Sequence, residues 1–346
     1  MRCFAKGMTM ASLMLVLVWL LVTAGRGVSV AQEARNTLVE QARREGRVVV
    51  YGTLEPDTFQ LIARIYQQRF GIPVEYWRAG EVADRVLAEH RSGRVLVDVV
   101  LANSPSMMLM KSAGVFQAYE SPSYETLGRA GRDAEGVLSP YYRLVPFSIL
   151  YNTRWVRPEE APRTLAELLE PKWRGKIVIP DPTVSIAFAS WIMELKSLLG
   201  RQWRQFVESL SRQVGAKVVS VLPVAHSVVS GEYPVGISYI KYVHIFGRQG
   251  APLDYVRLDP VLAHGHQVAV TKRAPHPSAG KLFVDVLTSR AGLIALAQAG
   301  EFVLVPGIWP PIKDAEKLRI RVMRDLDPEG FREAQTELGS IFGRRR

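Results

Sequence analysis

The strongest constraint on this chain is a repeat of short aliphatic runs, each followed by a helical stretch. "RVVVYGT" (47–53) is β-branched, uninterrupted and ends at Gly52. Such a run reads as a buried parallel strand running into a turn. In "PDTFQLIARIYQQRFG" (56–71), Phe59, Ile62, Ala63, Tyr66 and Phe70 recur at helical spacing, and Gly71 stops the helix. "IPVEYWR" (72–78) predicts a second strand, "AGEVADRVLAEHRSG" (79–93) a second helix and "VLVDVVLAN" (95–103) a third strand. Strand and helix in alternation predict an α/β unit with a parallel sheet. The same grammar returns later. "VPFSILYNTRW" (145–155) is extended, 164–182 holds a short helix, a turn and a strand, and 184–210 is helical with a break at Gly200. A helix around 223–231, strands at 235–243 and 262–272, a helix over 277–300 and an amphipathic tail complete the order.

The N-terminus sets the expected compartment. Arg2 and Lys6 precede an apolar run from Met8 to Ala24, and Ser29-Val30-Ala31 fits a small-x-small cleavage site. That layout predicts a secretory signal peptide over 1–31, cleaved near Ala31, and a periplasmic protein. The single cysteine, Cys3, lies ahead of the apolar run, where a lipidated cysteine would follow it. After cleavage no cysteine remains, so disulfides, thiolate metal sites and a cysteine nucleophile are excluded. A chain of 346 residues is long enough to divide into two lobes. Its net charge of +11 is scattered, apart from the terminal "GRRR", and shows no basic stripe with interleaved aromatics. Nucleic acid is therefore not expected as a partner, while anionic ligands would be steered towards the surface.

In open α/β sheets, ligands sit at the carboxyl ends of the strands. That rule selects Thr53 and Leu54, Arg78 to Glu81, Asn103 and Ser104, Pro182 to Ser185, and Tyr239 to Tyr242. Asp181 or Thr183 can cap the helix that starts near Ser185, and the same turn can hold an anion on free N–H groups. Nucleophile-elbow, P-loop, dinucleotide and H-E-x-x-H motifs do not occur, so the chain is not expected to be an enzyme. His264 and His266 share one strand face, and packing is the preferred reading over metal ligation. Trp77, at a strand end, is assigned to packing ahead of ligand stacking.

Four stretches carry a family resemblance: "VVVYGTLEPDTFQLIARIYQQRFGIPVEY", "LVDVVLAN", "LYNTRWVRPEEAPRTLAELLEPKWRGKIVIPDP" and "APHPSAGKLFVDVLTSRAGLIALAQAGEFVLVPG". From about 47 to 310 the chain resembles the periplasmic solute-binding proteins of ABC importers, of the type that includes ferric-iron-binding and thiamine-binding proteins. The resemblance implies a two-lobed, Venus-flytrap α/β fold, each lobe a mainly parallel sheet flanked by helices. One lobe would hold 32–146 and return with 269–346, which ends in a helical tail; the other would hold 147–268. Two crossing segments near 144–150 and 262–272 would form the hinge. The implied partners are a small-molecule ligand in the cleft and a permease in the inner membrane, with the protein acting as a monomer.

In iron-binding members two adjacent tyrosines close the strand that corresponds to "GISYIKYV" (236–243). By that resemblance the first falls at Lys241 and the second at Tyr242. The histidine after strand one falls near Glu55, and the carboxylate after strand three near Asn103. A lysine in place of a phenolate opposes a trivalent cation and suits an anion. The expected ligand is a small organic anion (a carboxylate, phosphonate or phosphate ester), with no cofactor. The expected contacts are Thr53, Leu54, Arg78, Asn103, Ser104, Thr183, Ser185, Tyr239, Lys241 and Tyr242. The alternative is Fe3+ held by Glu55, Tyr239 and Tyr242, and a second alternative is a secreted enzyme using the same cleft. Strand alternation would put Tyr239 and Tyr242 on opposite faces without a bulge, and Lys241 and Tyr242 likewise unless the chain turns between them.

Overall fold

The computed structural model describes residues 32–79, 82–324 and 326–343. The expected signal peptide over 1–31, and Gly80 and Glu81 at the second strand end, lie outside the described residues. A helix over 32–45 (α1) leads into β1 (Val48–Gly52), whose β-branched residues are almost wholly buried. α2 (Pro56–Phe70) opens on proline, buries Phe59, Ile62, Tyr66 and Phe70, and stops at Gly71 with a left-handed φ of 73°. β2 (Val74–Arg78), α3 (Ala83–Ser92), β3 (Val99–Asn103) and α4 (Ser104–Ser112) follow. β1 pairs in parallel with both β2 and β3.

β4 (Arg143–Asn152) is a long strand with every residue buried. The middle of the chain builds β5 (Ile177–Pro180), α5 (Ile186–Leu199), α6 (Trp203–Gln213), β6 (Val214–Val218), α7 (Val221–Ser230) and β7 (Val235–Tyr239). Gly200, with φ 52°, makes the expected break between α5 and α6. Then come α8 (Lys241–Gly247), β8 (Leu253–Tyr255) and a second long buried strand, β9 (Val261–Val270). α9 (Pro277–Thr288), α10 (Arg290–Gln298), β10 (Phe302–Val303), β11 (Ile320–Val322) and α11 (Pro328–Phe342) close the chain.

The strand order is β2-β1-β3-β9-β4-β7-β5-β6. β1, β2 and β3 are mutually parallel, as are β5, β6 and β7, while β4 and β9 run antiparallel to their neighbours at the centre. The two long strands join the halves. β4 pairs first with β9, Arg143 opposite His266, and then with β7, Phe147 opposite Tyr239. One core lies around β1, β3 and β9 with α2, α9 and α10. A second gathers β4, β5 and β7 with α5, α6 and α7, and holds the stacked pair Phe188 and Trp191. Each large apolar side chain withdrawn from water here contributes about 1.5–3 kcal/mol.

Two predicted elements differ. The strand expected over 235–243 ends at Tyr239, because Ile240 is already helical (φ −58°, ψ −34°). The helix expected over 277–300 divides at Ser289, which is extended and whose hydroxyl accepts from Gly292 N to start α10. The C-terminal tail returns to the middle of the chain. Gln335 Nε2 donates to the Thr183 carbonyl at 2.8 Å, and Lys196 pairs with Glu337. Ala334, Leu338 and Phe342 join the second core, whereas α9 and α10 belong to the first.

Candidate functional site

The carboxyl ends of β1, β2 and β3 bring Thr53, Glu55, Arg78 and Asn103 to one side of a narrow cavity of about 40 Å³. The β7–α8 corner supplies Tyr239, Lys241 and Tyr242, and the first turns of α5 and α7 supply Ser185 and Ser220. The central strands add Arg143 and Val145 from β4 and His266 from β9. A volume of this size is roughly that of one or two waters. An outer groove of about 890 Å³ lies between the first half of α2 and the end of α8, lined by Asp57, Gln60, Arg64, His244 and Arg248 among others. Glu55 lines both spaces.

Ion pairs knit the cavity walls together. Lys241 Nζ donates to Glu55 Oε2 at 2.7 Å and to Glu301 Oε1 at 3.1 Å. The Tyr242 hydroxyl donates to Glu55 Oε1 at 3.2 Å, and Arg78 Nη2 lies 3.8 Å from the same oxygen. Arg143 is fully buried and its guanidinium ion-pairs with Glu301 Oε2 at 2.5 Å. Its Nη2 donates to His266 Nδ1 at 3.1 Å and to Thr53 Oγ1 at 3.4 Å. Buried donors remain unmatched here: Arg78 Nε and His266 Nε2 have no hydrogen-bond partner.

Charge neighbours set the protonation states. Burial pushes the Glu55 carboxyl upward, but Lys241, Arg143 and Arg78 together outweigh it and hold the group below its ordinary value. Burial, then the Glu55 carboxylate, raises the Tyr242 phenol well above its ordinary range. Burial, then Arg143 and Lys241, holds His266 well below its ordinary value, so its ring is neutral.

Of the residues selected from sequence, Thr53, Arg78, Asn103, Ser185, Tyr239, Lys241 and Tyr242 line the cavity. Three do not. Leu54 points into the first core with no exposure, and only its carbonyl is used, by the Tyr76 hydroxyl. Ser104 is buried as the first residue of α4 and does not reach the cavity. Thr183 is turned back onto Asp181, to which its N–H and hydroxyl both donate. Lys241 also needs correction. It was expected as an ammonium open to a ligand, and it is instead held by two carboxylates, one from the β1–α2 turn and one beside β10. The alternation argument fails at the same place. The chain turns helical after Tyr239, so Tyr239 and Tyr242 share the cavity with ring centroids 6.2 Å apart.

Arg143 and Glu301 are not among the residues selected from sequence, and the sequence assigns His266 to packing ahead of metal ligation. The available signal was an arginine opening the mostly apolar strand "RLVPFSILYN". His264 Nε2 meets the Ala187 carbonyl at 2.7 Å while His266 turns to Arg143, so the two rings serve separate partners. Among the described residues no three His, Cys, Asp or Glu side chains are grouped to hold a metal ion. Trp77 packs against Tyr51 and under the Arg85 guanidinium, in line with its structural assignment.

The chain is 34% identical over 102 residues to a probable ABC transporter periplasmic-binding protein of Sinorhizobium fredii, a match covering 29% of this chain and 27% of that one. The fold matches the periplasmic binding protein AfuA from Actinobacillus pleuropneumoniae, solved with fructose-6-phosphate bound, at a TM-score of 0.75 and 20% identity, covering 87% of this chain and 99% of that one. It also matches iron-bound HitA from Pseudomonas aeruginosa at a TM-score of 0.69 and 21% identity, covering 86% and 98%. Both likenesses concern the two-lobed fold, and they are to binding proteins rather than enzymes. The family model for bacterial extracellular solute-binding proteins matches residues 47–300, and the chain belongs to that family.

Proposed function

We propose that this protein is the periplasmic substrate-binding component of an ABC importer and that its ligand is a small organic anion: a carboxylate, phosphonate or phosphate ester. One observation carries the ligand class. Arg78, Arg143 and Lys241 converge on the cavity against only Glu55 and Glu301, which leaves one positive charge in excess in a site withdrawn from water. An anion neutralises that excess, and hydrogen bonds from charged donors are the strong ones. Proteins of this fold are known with a sugar phosphate bound, as in AfuA, and with iron, as in HitA.

The lobes proposed are 32–146 with the return from 269, and 147–268, hinged on β4 and β9. In that division Glu55 stands on one lobe and Lys241 and Tyr242 on the other, so their contacts form a seal across the cleft. The cavity is narrow for an organic anion, and parting of the seal widens it for the ligand. Affinity then follows from how much better the closed form holds the ligand than the open form does. The protein works as a monomer without a cofactor, handing its ligand to a permease in the inner membrane.

Ferric iron is the second reading, favoured by the convergence of Tyr239, Tyr242 and Glu55. Against it stand the Lys241 ammonium paired with Glu55 and 5.5 Å from the Tyr242 ring centroid, the nearby Arg143 and a Tyr242 phenol that resists ionisation. Titration with ferric citrate under visible spectroscopy separates the two. The anion reading expects no tyrosinate-to-iron band, and a band lost on chelation would establish iron instead.

A further inference from the structure

We infer that His266 donates a hydrogen bond to the ligand, fixed in that role by Arg143, and that with the Asn103 amide it makes the deep wall of the cleft selective for a bare oxyanion head. This rests on the anion reading. Asn103, His266 and Arg143 are directly paired neighbours across β3, β9 and β4, so they form one row. A guanidinium has only donors to offer. Because Arg143 Nη2 meets His266 Nδ1 at 3.1 Å, Nδ1 must accept, and the proton of the neutral ring resides on Nε2. That Nε2 lies on a side chain only 3% exposed, lines the cavity and has no partner. Burial with Arg143 and Lys241 alongside keeps the ring neutral, so its tautomer is stable. Asn103 is committed the same way. Its Oδ1 accepts from Ser106 N at 3.0 Å, which leaves the amide nitrogen to donate into the cavity.

The row therefore offers donors and no free acceptor. A phosphoryl, phosphonate or carboxylate head satisfies every member, whereas an ammonium or a hydroxyl proton meets another donor and leaves buried groups unpaired. Such mismatches are the strongest source of discrimination available to a binding site.

The test combines nitrogen-15 spectra of the histidine side chains with calorimetric titration by fructose 6-phosphate, citrate and fructose. The inference expects His266 to show the Nε2–H tautomer, and both anions to be candidates while fructose is not. His266→Phe should weaken the better anion by about 10- to 100-fold, and His266→Gln, which restores a donor near the Nε2 position, should recover part of that loss. An Nδ1–H or doubly protonated ring overturns the inference without any ligand measurement. Unchanged anion affinity in a folded His266→Phe protein also overturns it while leaving the anion reading intact. Wild-type protein that binds neither anion overturns the anion reading, and the role of His266 with it.

Discussion

The parallel strands β1 and β3 carry a buried charged cluster at each end, and the two are built differently. At the amino end, Asp98 is fully buried and its acceptor sites are filled. Oδ2 accepts from Val49 N at 2.7 Å and from His276 Nδ1 at 2.9 Å, and Oδ1 accepts from His276 N at 2.6 Å. Glu45 nearby caps α9 by accepting from Ser278 N and Ala279 N. At the carboxyl end, Glu55, Glu301, Arg143, Lys241 and the neutral His266 are deeply set, yet His266 Nε2 lacks a hydrogen bond, and with Arg78 at the rim the cations outnumber the carboxylates three to two. Buried polar groups are normally satisfied, so a satisfied cluster reads as structure and an unsatisfied one as a place kept for a ligand.

The comparison breaks or sharpens under mutation. Asp98→Ala leaves two buried backbone N–H groups unpaired and should destabilise the fold by about 2–4 kcal/mol, with ligand affinity unchanged in the folded fraction. Urea denaturation and calorimetry check both halves. A change in affinity larger than the change in stability would erase the distinction between the two ends.

Lys241→Ala should do the reverse. Glu301 keeps Arg143 and Glu55 keeps Arg78, so each carboxylate retains a cation. The variant cancels the positive excess of the cavity, so anion affinity should fall by about 1.5–3 kcal/mol, the scale of one interaction with a charged group. An unchanged dissociation constant would remove Lys241 from the site and leave it as a counterion alone.

The smallest effect is in pH. A carboxyl held below its ordinary value in the folded state adds stability that is present above the unfolded value and is lost as pH falls through the folded one. Wild type should therefore exceed Glu55→Gln in melting temperature at neutral pH. That margin should persist below about pH 4.3, the ordinary value for Glu, and vanish only in stronger acid. A margin that disappears already above that point would mean the carboxyl is not held down by Lys241 and its neighbours.

The fold was legible because its signals are local. β-branched runs marked β1 and β3, and the glycines at 71 and 200 marked helix ends. Strand ends were also local enough to point to Thr53, Arg78, Asn103 and Ser185. The rest of the site depends on register between distant strands. Arg143 meets His266 through the β4–β9 pairing, and the β10–β4 pairing of Val303 with Arg143 brings Glu301 alongside. No periodicity in the chain states either pairing. Leu54 was misplaced because proximity to a strand end does not say which way a side chain turns. Lys241 was misread because its second carboxylate comes from a segment that sequence order keeps far away.

The central claim is that an excess of cations in this cleft selects an anion. Calorimetric titration of the purified protein with fructose 6-phosphate and with fructose, side by side, tests it most directly. The account expects saturable one-to-one binding of the phosphate ester, or of a carboxylate such as citrate in its place, and no heat from the uncharged sugar. Equal binding of the sugar and its phosphate, or binding of neither anion by a protein that takes up ferric iron with a tyrosinate band, would contradict it.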